Sequence, residues 1–158
     1  MRLYVLRHAE AEDKRPGLKD ADRRLTKRGH AQAKAAADLF RGRSIPADIR
    51  PEKILSSPAA RARETAEPVG AALKLAVEFE PRISLDGGED DALDLVGDLL
   101  DAGEDACVLV GHNPTLEDLV GALGGTAELK KGQLVALDVV GTRRAPRGRE
   151  IGRFRADV

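Results

Sequence analysis

Short apolar runs alternate with segments whose apolar residues recur at helical spacing. That alternation predicts a largely parallel sheet with helices on both faces. Leu3 to Leu6 reads as the first strand, and the charged stretch 10–24, with Pro16 and Gly17, as a long loop. Thr26 fits the N-cap of a helix that runs to about Phe40, with Ala31, Ala35, Ala36 and Leu39 inward. Lys53 to Ser56 predicts a second strand. Pro58 then opens a helix with Ala62, Ala66, Val69 and Leu73 at helical spacing. Pro68 lies inside that pattern and is expected to kink or divide it. Val77 to Phe79 is a candidate short strand. Ala92, Leu93, Val96, Leu99 and Leu100 mark an amphipathic helix ending near Gly103. Ala106 to Val110 reads as a buried strand. Asn113 then fits an N-cap and Pro114 the first helical position, ahead of an inner stripe of Leu116, Leu119, Val120 and Leu123. Gln133–Val140 and Ile151–Phe154 read as late antiparallel strands around a turn containing Pro146 and Gly148. The expected fold is α/β, a three-layer αβα sandwich with a mostly parallel central sheet. The 158 residues suit one domain spanning 1–158.

Composition narrows the class. With 42% hydrophobic and 34% charged residues, the chain has enough apolar surface to fold. No apolar run approaches the ~20 residues of a membrane span, and the start of the chain soon turns charged, unlike a signal peptide. One cysteine permits no internal disulfide and no cysteine-based zinc site. A cytoplasmic location is the simplest expectation. The formal net charge of −1 gives no overall attraction to nucleic acid. Locally the balance breaks: eleven acids face one base, Arg82, between Glu78 and Asp105, and six arginines lie between Arg143 and Arg155. Two solvated surfaces of opposite sign account for this more simply than a partner-facing tail.

Candidate chemistry collects at three strand ends. Arg7-His8 follows the first strand, Ser56-Ser57-Pro58 and then Arg61 the second, and Gly111-His112-Asn113-Pro114 the buried strand at 106–110. In an open parallel sheet all three turns emerge at the carboxyl edge, where ligands bind. Two imidazoles and two guanidiniums can therefore meet in one crevice, beside helix N-termini that favour an anion. A phosphoryl group suits such a set. Arginine forks match its oxygens, a histidine can attack phosphorus and carry the group, and fixed donors stabilise charge on the equatorial oxygens. Taken singly, His8, Arg7 and His112 would each pass for a surface or strand-end residue. Cys107 reads as a small buried hydrophobe and His30 as structural or exposed. No local histidine pair has metal-ligand spacing.

The ordered segments Leu6-Arg7-His8-Ala9-Glu10-Ala11, Leu25-Thr26-Lys27-Arg28-Gly29, Ser56-Ser57-Pro58 through Arg61 to Ala66, and Val110-Gly111-His112-Asn113-Pro114 resemble the histidine phosphatase superfamily. The short chain and the Gly-His-Asn-Pro form are similar to its SixA-type phosphohistidine phosphatase branch. The resemblance implies a phosphoglycerate mutase-like fold, with His8 as nucleophile and Arg7, Arg61 and His112 as the phosphoryl pocket. Ser57 and Asn113 carry over as further polar pocket residues, and Gly29 as a site of close helix packing near the pocket. It also implies no metal and no organic cofactor. The family's first motif usually reads Arg-His-Gly, and here Ala9 replaces the glycine, which would be costly if the backbone required positive φ. Candidates for a general acid are Glu80, Asp86 and Glu89. The implied substrate is phosphohistidine on a protein. The alternatives are a small-molecule phosphomonoesterase of the same superfamily and, from another class, a catalytically weak phosphate-binding module.

Overall fold

The structure, a computed structural model, describes residues 1–42, 49–156 and 158. Its strands are β1 (Arg2–Arg7), β2 (Lys53–Ser56), β3 (Val77–Phe79), β4 (Ala106–Gly111), β5 (Leu134–Thr142) and β6 (Ala145–Phe154). Its α-helices are α1 (Lys27–Arg41), α2 (Ala60–Leu73), α3 (Glu89–Asp101) and α4 (Thr115–Ala122). Short 3₁₀ turns occupy Asp20–Asp22 and Pro81–Ile83. The six strands form one sheet in the order β3-β2-β4-β1-β5-β6. β3, β2, β4 and β1 run parallel, and β5 and β6 are antiparallel additions at one side.

Strand alternation divides the core into two. Leu3 and Val5 of β1 join Cys107 and Leu109 of β4, packed under α3 and α4 residues such as Leu95, Val96, Leu116 and Leu119. Tyr4 and Leu6 join Val108 and Val110 on the other face, under Phe40 of α1 and Ala62, Ala66 and Val69 of α2. This is the three-layer αβα sandwich that the pattern predicts. Each fully buried Leu or Val contributes on the order of 2 kcal/mol, so strand register is held by packing rather than by any one polar contact. Burial pushes the Cys107 thiol up to about 12, as expected of an inert core residue.

Four local expectations change. The inward face of α1 is Gly29, Gln32, Ala33, Ala36, Ala37 and Phe40, about one position from the expected stripe. Alanine on every side blurs the phase, and Phe40, which stacks edge-on against Tyr4 at 5.3 Å, sets it. α2 runs unbroken through Pro68, because Ala66, Val69 and Leu73 bury on both sides of it and offset the lost bond. α4 begins at Thr115, with Asn113 turned to tertiary contacts instead of capping. The β5–β6 hairpin turns at Arg143-Arg144, so Pro146 and Gly148 lie inside β6. β6 is an edge strand, where a residue lacking an N–H is tolerated. The acidic and basic stretches also meet, through the Arg143–Asp98 ion pair. His30 is an exposed member of α1.

Thr26 caps α1 by accepting the Gly29 N–H at 3.0 Å. The segment after β1 crosses that first turn so closely that a Cβ on Gly29 would stand 2.0 Å from the Glu10 carbonyl oxygen. Helix propensity favours alanine over glycine by about 1 kcal/mol, but a backbone overlap of this size costs more. Gly29→Ala should therefore lower stability by about 2 kcal/mol, read from denaturant unfolding. A variant more stable than the wild type would contradict the close approach.

Candidate active site

The parallel ladder continues one residue beyond the strands. The His8 N–H donates to the Gly111 carbonyl at 3.0 Å, and the Ser57 N–H donates to the Val110 carbonyl at 2.9 Å. These bonds bring the ends of β1, β2 and β4 level at the carboxyl edge. His8 and His112 are both buried there, 7% and 6% exposed, with ring centroids 5.2 Å apart. His8 Nδ1 lies 2.7 Å from the Ala9 carbonyl oxygen, which can only accept. The hydrogen-bond network thus assigns the proton to Nδ1 and leaves Nε2 as the bare nitrogen.

The two arginines enter from β1 and from the first turn of α2. Arg7 Nη1 donates to the Leu129 carbonyl at 3.0 Å. Arg61 Nη1 donates to the Asp20 carbonyl at 2.7 Å, and Nη2 to the Asp20 carboxylate at 3.2 Å. Among the described residues, the buried side-chain polar atoms without a partner are Arg7 Nε, Arg61 Nε, His112 Nδ1 and Asn113 Oδ1. They belong to residues at the carboxyl ends of β1 and β4 and in the first turn of α2. Such atoms each cost on the order of 1–3 kcal/mol, and three of them can donate to an anion.

Burial pushes the His8 imidazole down to about 3, assisted by His112, Arg61 and Arg7 and opposed by its bond to Ala9. Burial likewise pushes His112 down to about 4, with Arg61 and Arg7 assisting and Asp20 opposing. Both rings are therefore neutral at pH 7, as a nitrogen nucleophile must be.

Ser57 is fully buried and its Oγ lies 2.7 Å from His112 Nε2. Asn113 donates to Glu117 at 2.8 Å and to the Leu129 carbonyl at 2.9 Å. Ala9 is not in the positive-φ region, so the alanine carries no backbone penalty. Glu80 and Glu89 are not bonded to the cluster, and Asp86 lines a cavity beside it with Ala21, Pro58 and Ala59. Glu80 accepts from Arg82 Nε at 2.6 Å, Asp86 is exposed on the following loop, and Glu89 is exposed at the start of α3. None of the three makes a hydrogen bond or ion pair with Arg7, His8, Arg61 or His112 among the described residues. The carboxylate that does reach the cluster is Asp20, from the 10–24 loop. The rule that loops after parallel strands gather at the carboxyl edge pointed to this loop, though not to that residue. Thr65 was also missed. Its Oγ1 accepts the Ala9 N–H at 3.0 Å and donates to the Arg61 carbonyl at 2.7 Å, one helical turn beyond Arg61. Among the described residues no group of three or more His, Cys, Asp or Glu side chains is arranged to hold a metal ion. No helix of the described residues is long and apolar enough to cross a membrane.

Fold and crevice together define an α/β protein that gathers two imidazoles and two guanidiniums at the carboxyl edge of its parallel strands. The chain belongs to the histidine phosphatase superfamily, branch 1, whose profile matches residues 3–85. An uncharacterized protein of Picosynechococcus sp. is 34% identical over 148 residues, covering 87% of this chain and 84% of that one. A crystal structure from Agrobacterium tumefaciens, provisionally assigned as the phosphohistidine phosphatase SixA, is 31% identical, with a TM-score of 0.81 and 98% of each chain covered. The protein histidine phosphatase SixA complexed with tungstate shares the fold, with a TM-score of 0.82 at 23% identity over 98% of this chain and 97% of that one.

Two measurements test the geometry. Arg61→Lys keeps the charge but loses the planar fork, and should lower kcat/KM by about 10²-fold. Arg63→Lys should change it little, since Arg63 points outward to an ion pair with Glu67. Equal losses would mean the helix phase is wrong. The second concerns pH. Both imidazoles have folded values far below the ordinary 6.5, so below pH 6.5 the unfolded chain binds protons that the native one does not. The stability they contribute is complete above about pH 6.5 and is lost as pH falls toward 4 and then 3. Each ring adds about 1.4 kcal/mol per pH unit across that window. Denaturant unfolding of His112→Asn should show an acid slope shallower than wild type by about one proton.

Proposed function

We propose that this single domain is a cytoplasmic, metal-independent phosphatase that works through phospho-His8, and that its substrate is phosphohistidine on a protein. The observation that carries the mechanism is the set of unpartnered buried atoms on Arg7, Arg61, His112 and Asn113 around a histidine whose Nε2 is bare. His8 Nε2 attacks phosphorus, and the leaving group departs on the opposite side. Arg7 and Arg61 bind the equatorial oxygens through their nitrogens on the pocket side. Ser57 donates to His112 Nε2, which leaves His112 Nδ1–H to donate to a phosphoryl oxygen. Water then attacks phospho-His8, releases inorganic phosphate and returns the electron pair to Nε2. The Nδ1–H bond to Ala9 persists throughout and holds the ring.

Two observations support phosphohistidine as the substrate. Glu80 is tied to Arg82, and neither Asp86 nor Glu89 makes a hydrogen bond or ion pair with the cluster, which favours a leaving group that needs no carboxyl acid. A protonated imidazole needs no such help, since it leaves as a neutral ring. The likeness to the Agrobacterium protein, at 31% identity along nearly the whole chain, agrees.

His8→Ala should lose at least about 10³-fold in turnover, ~4 kcal/mol of barrier, without unfolding. Wild type quenched during turnover should carry acid-labile, base-stable phosphate. Across a panel, kcat/KM should favour a phosphohistidine protein and nitrophenyl phosphate over phosphoserine and sugar phosphates. Near-wild-type activity in His8→Ala would end the covalent mechanism. Efficient hydrolysis of alkyl phosphates would move the protein to a general phosphomonoesterase, and binding without turnover to a phosphate-binding module.

A further inference from the structure

Asp20 stands at the mouth of the crevice. Its side chain is 41% exposed, whereas His8 is 7% exposed on the pocket floor. Its carboxylate is bonded at 3.2 Å to Arg61, a residue of the phosphoryl clamp, and at 2.8 Å to Arg23. It acts electrostatically on His112, but His8 feels chiefly His112, Arg61 and Arg7. In-line displacement expels the leaving group on the side of phosphorus opposite the nucleophile. With His8 at the floor, that side is the mouth. Beside Asp20, residues Ala21, Pro58, Ala59, Ser84, Leu85 and Asp86 line a cavity of about 180 Å³. Its walls at Pro58, Ala59 and Leu85 suit an aromatic ring.

We infer that Asp20 is a specificity-determining residue whose carboxylate accepts the N–H of an imidazolium leaving group, so that the pocket selects phosphohistidine over phosphate esters. This rests on the phosphohistidine reading above. Phosphohistidine protonated on its second ring nitrogen leaves as neutral imidazole, whereas the unprotonated ring would have to leave as imidazolate. In the step itself the lone pair of His8 Nε2 forms the new P–N bond. The old P–N bond breaks with its pair going to the substrate ring nitrogen, and the substrate keeps its other N–H. The positive charge passes to phospho-His8, and no proton moves. An anionic acceptor at the mouth stabilises the cationic substrate and the charge that remains in the transition state. An alcohol leaving group offers no such cation and requires a donor. Asp20 does not serve as that donor at neutral pH, because hydrogen bonds from Arg23 and Arg61 hold its carboxyl below the usual range. The charged groups around it are Arg23 on its own turn, Arg61 on α2, Asp86 across the cavity and His112 at the end of β4.

The test is Asp20→Asn, which keeps the backbone carbonyl and a side-chain oxygen for Arg61 but removes the charge. For a phosphohistidine protein, kcat/KM should fall at least about tenfold, the equivalent of one pKa unit of charge stabilisation. For nitrophenyl phosphate it should change less than about twofold. Inorganic phosphate should inhibit as strongly as in wild type or more strongly, which would also show the pocket intact. The alkaline fall of kcat for phosphohistidine, which reports the bound substrate, should move to lower pH in the variant, while the nitrophenyl phosphate profile stays in place. Parallel losses on both substrates would reduce Asp20 to an orienting partner of Arg61, and no loss on phosphohistidine would remove its role; either overturns the inference alone. A wild type that prefers alkyl phosphates to phosphohistidine would instead overturn the reading on which the inference rests.

Discussion

The crevice depends on one constraint: β1, β4 and β2 are parallel, adjacent and in a register that ends them together. Arg7 pairs with Gly111, and Ser56 with Val110. One further ladder bond at each strand then ties His8 to Gly111 and Ser57 to Val110. Side chains separated by about a hundred residues in the chain thus meet within 5.2 Å of ring-to-ring distance. A slip of one residue in β1 would turn Leu3 and Val5 from one core to the other. The apolar residues that fix the strands thereby also fix where His8 stands, although none of them touches it in the chemistry.

Against that well-packed base the crevice is frustrated. Polar atoms of Arg7, Arg61, His112 and Asn113 are buried without partners, and two imidazoles are held neutral beside two cations. Each feature destabilises the fold by an amount comparable to one good core contact. A site concentrated at strand ends can carry this cost because the sheet beneath it is sealed on both faces. α2 organises the remainder. Arg61 faces the crevice, Thr65 joins Ala9 to the Arg61 carbonyl, and buried Glu64 accepts from Arg24 and from the Leu25 N–H. One helix thus holds the turn after β1 and the loop that delivers Asp20.

What could be read from the sequence follows from how local each signal is. β1, β2 and β4 are apolar runs ending in unusual polar residues, so both the strands and the convergence of His8, His112, Arg7 and Arg61 were legible. The order of motifs added the family. The phase of α1 was obscured because alanine occupies most of its faces, and contact with Tyr4 decides it. Pro146 and Gly148 looked like turn residues, and only the edge position of β6 lets them sit in a strand. Asp20 was hidden for a different reason. Its contact with Arg61 spans 41 positions, and its loop contains four other acids and bases within four residues on either side that look equivalent in composition. Glu80 stood among the candidate acids because the sequence does not reveal that Arg82 folds back onto it.

Ala9 illustrates how a departure from a motif can be absorbed by packing. A glycine in a catalytic turn is needed where φ is positive or where a Cβ would collide. Neither condition holds at Ala9, whose backbone is not in the left-handed region and whose methyl is fully buried. That methyl joins Leu25 and Ala33 in a small cluster of its own between the turn after β1 and α1. Removing it would leave a methyl-sized gap, worth on the order of 1 kcal/mol, beside the carbonyl that holds His8 Nδ1. The alanine therefore stiffens the turn that sets the histidine's tautomer. The glycine that close approach does require is Gly29, where the Glu10 carbonyl leaves no room for a side chain. Close approach between the turn and α1 is thus kept from the α1 side, which frees position 9 to contribute packing.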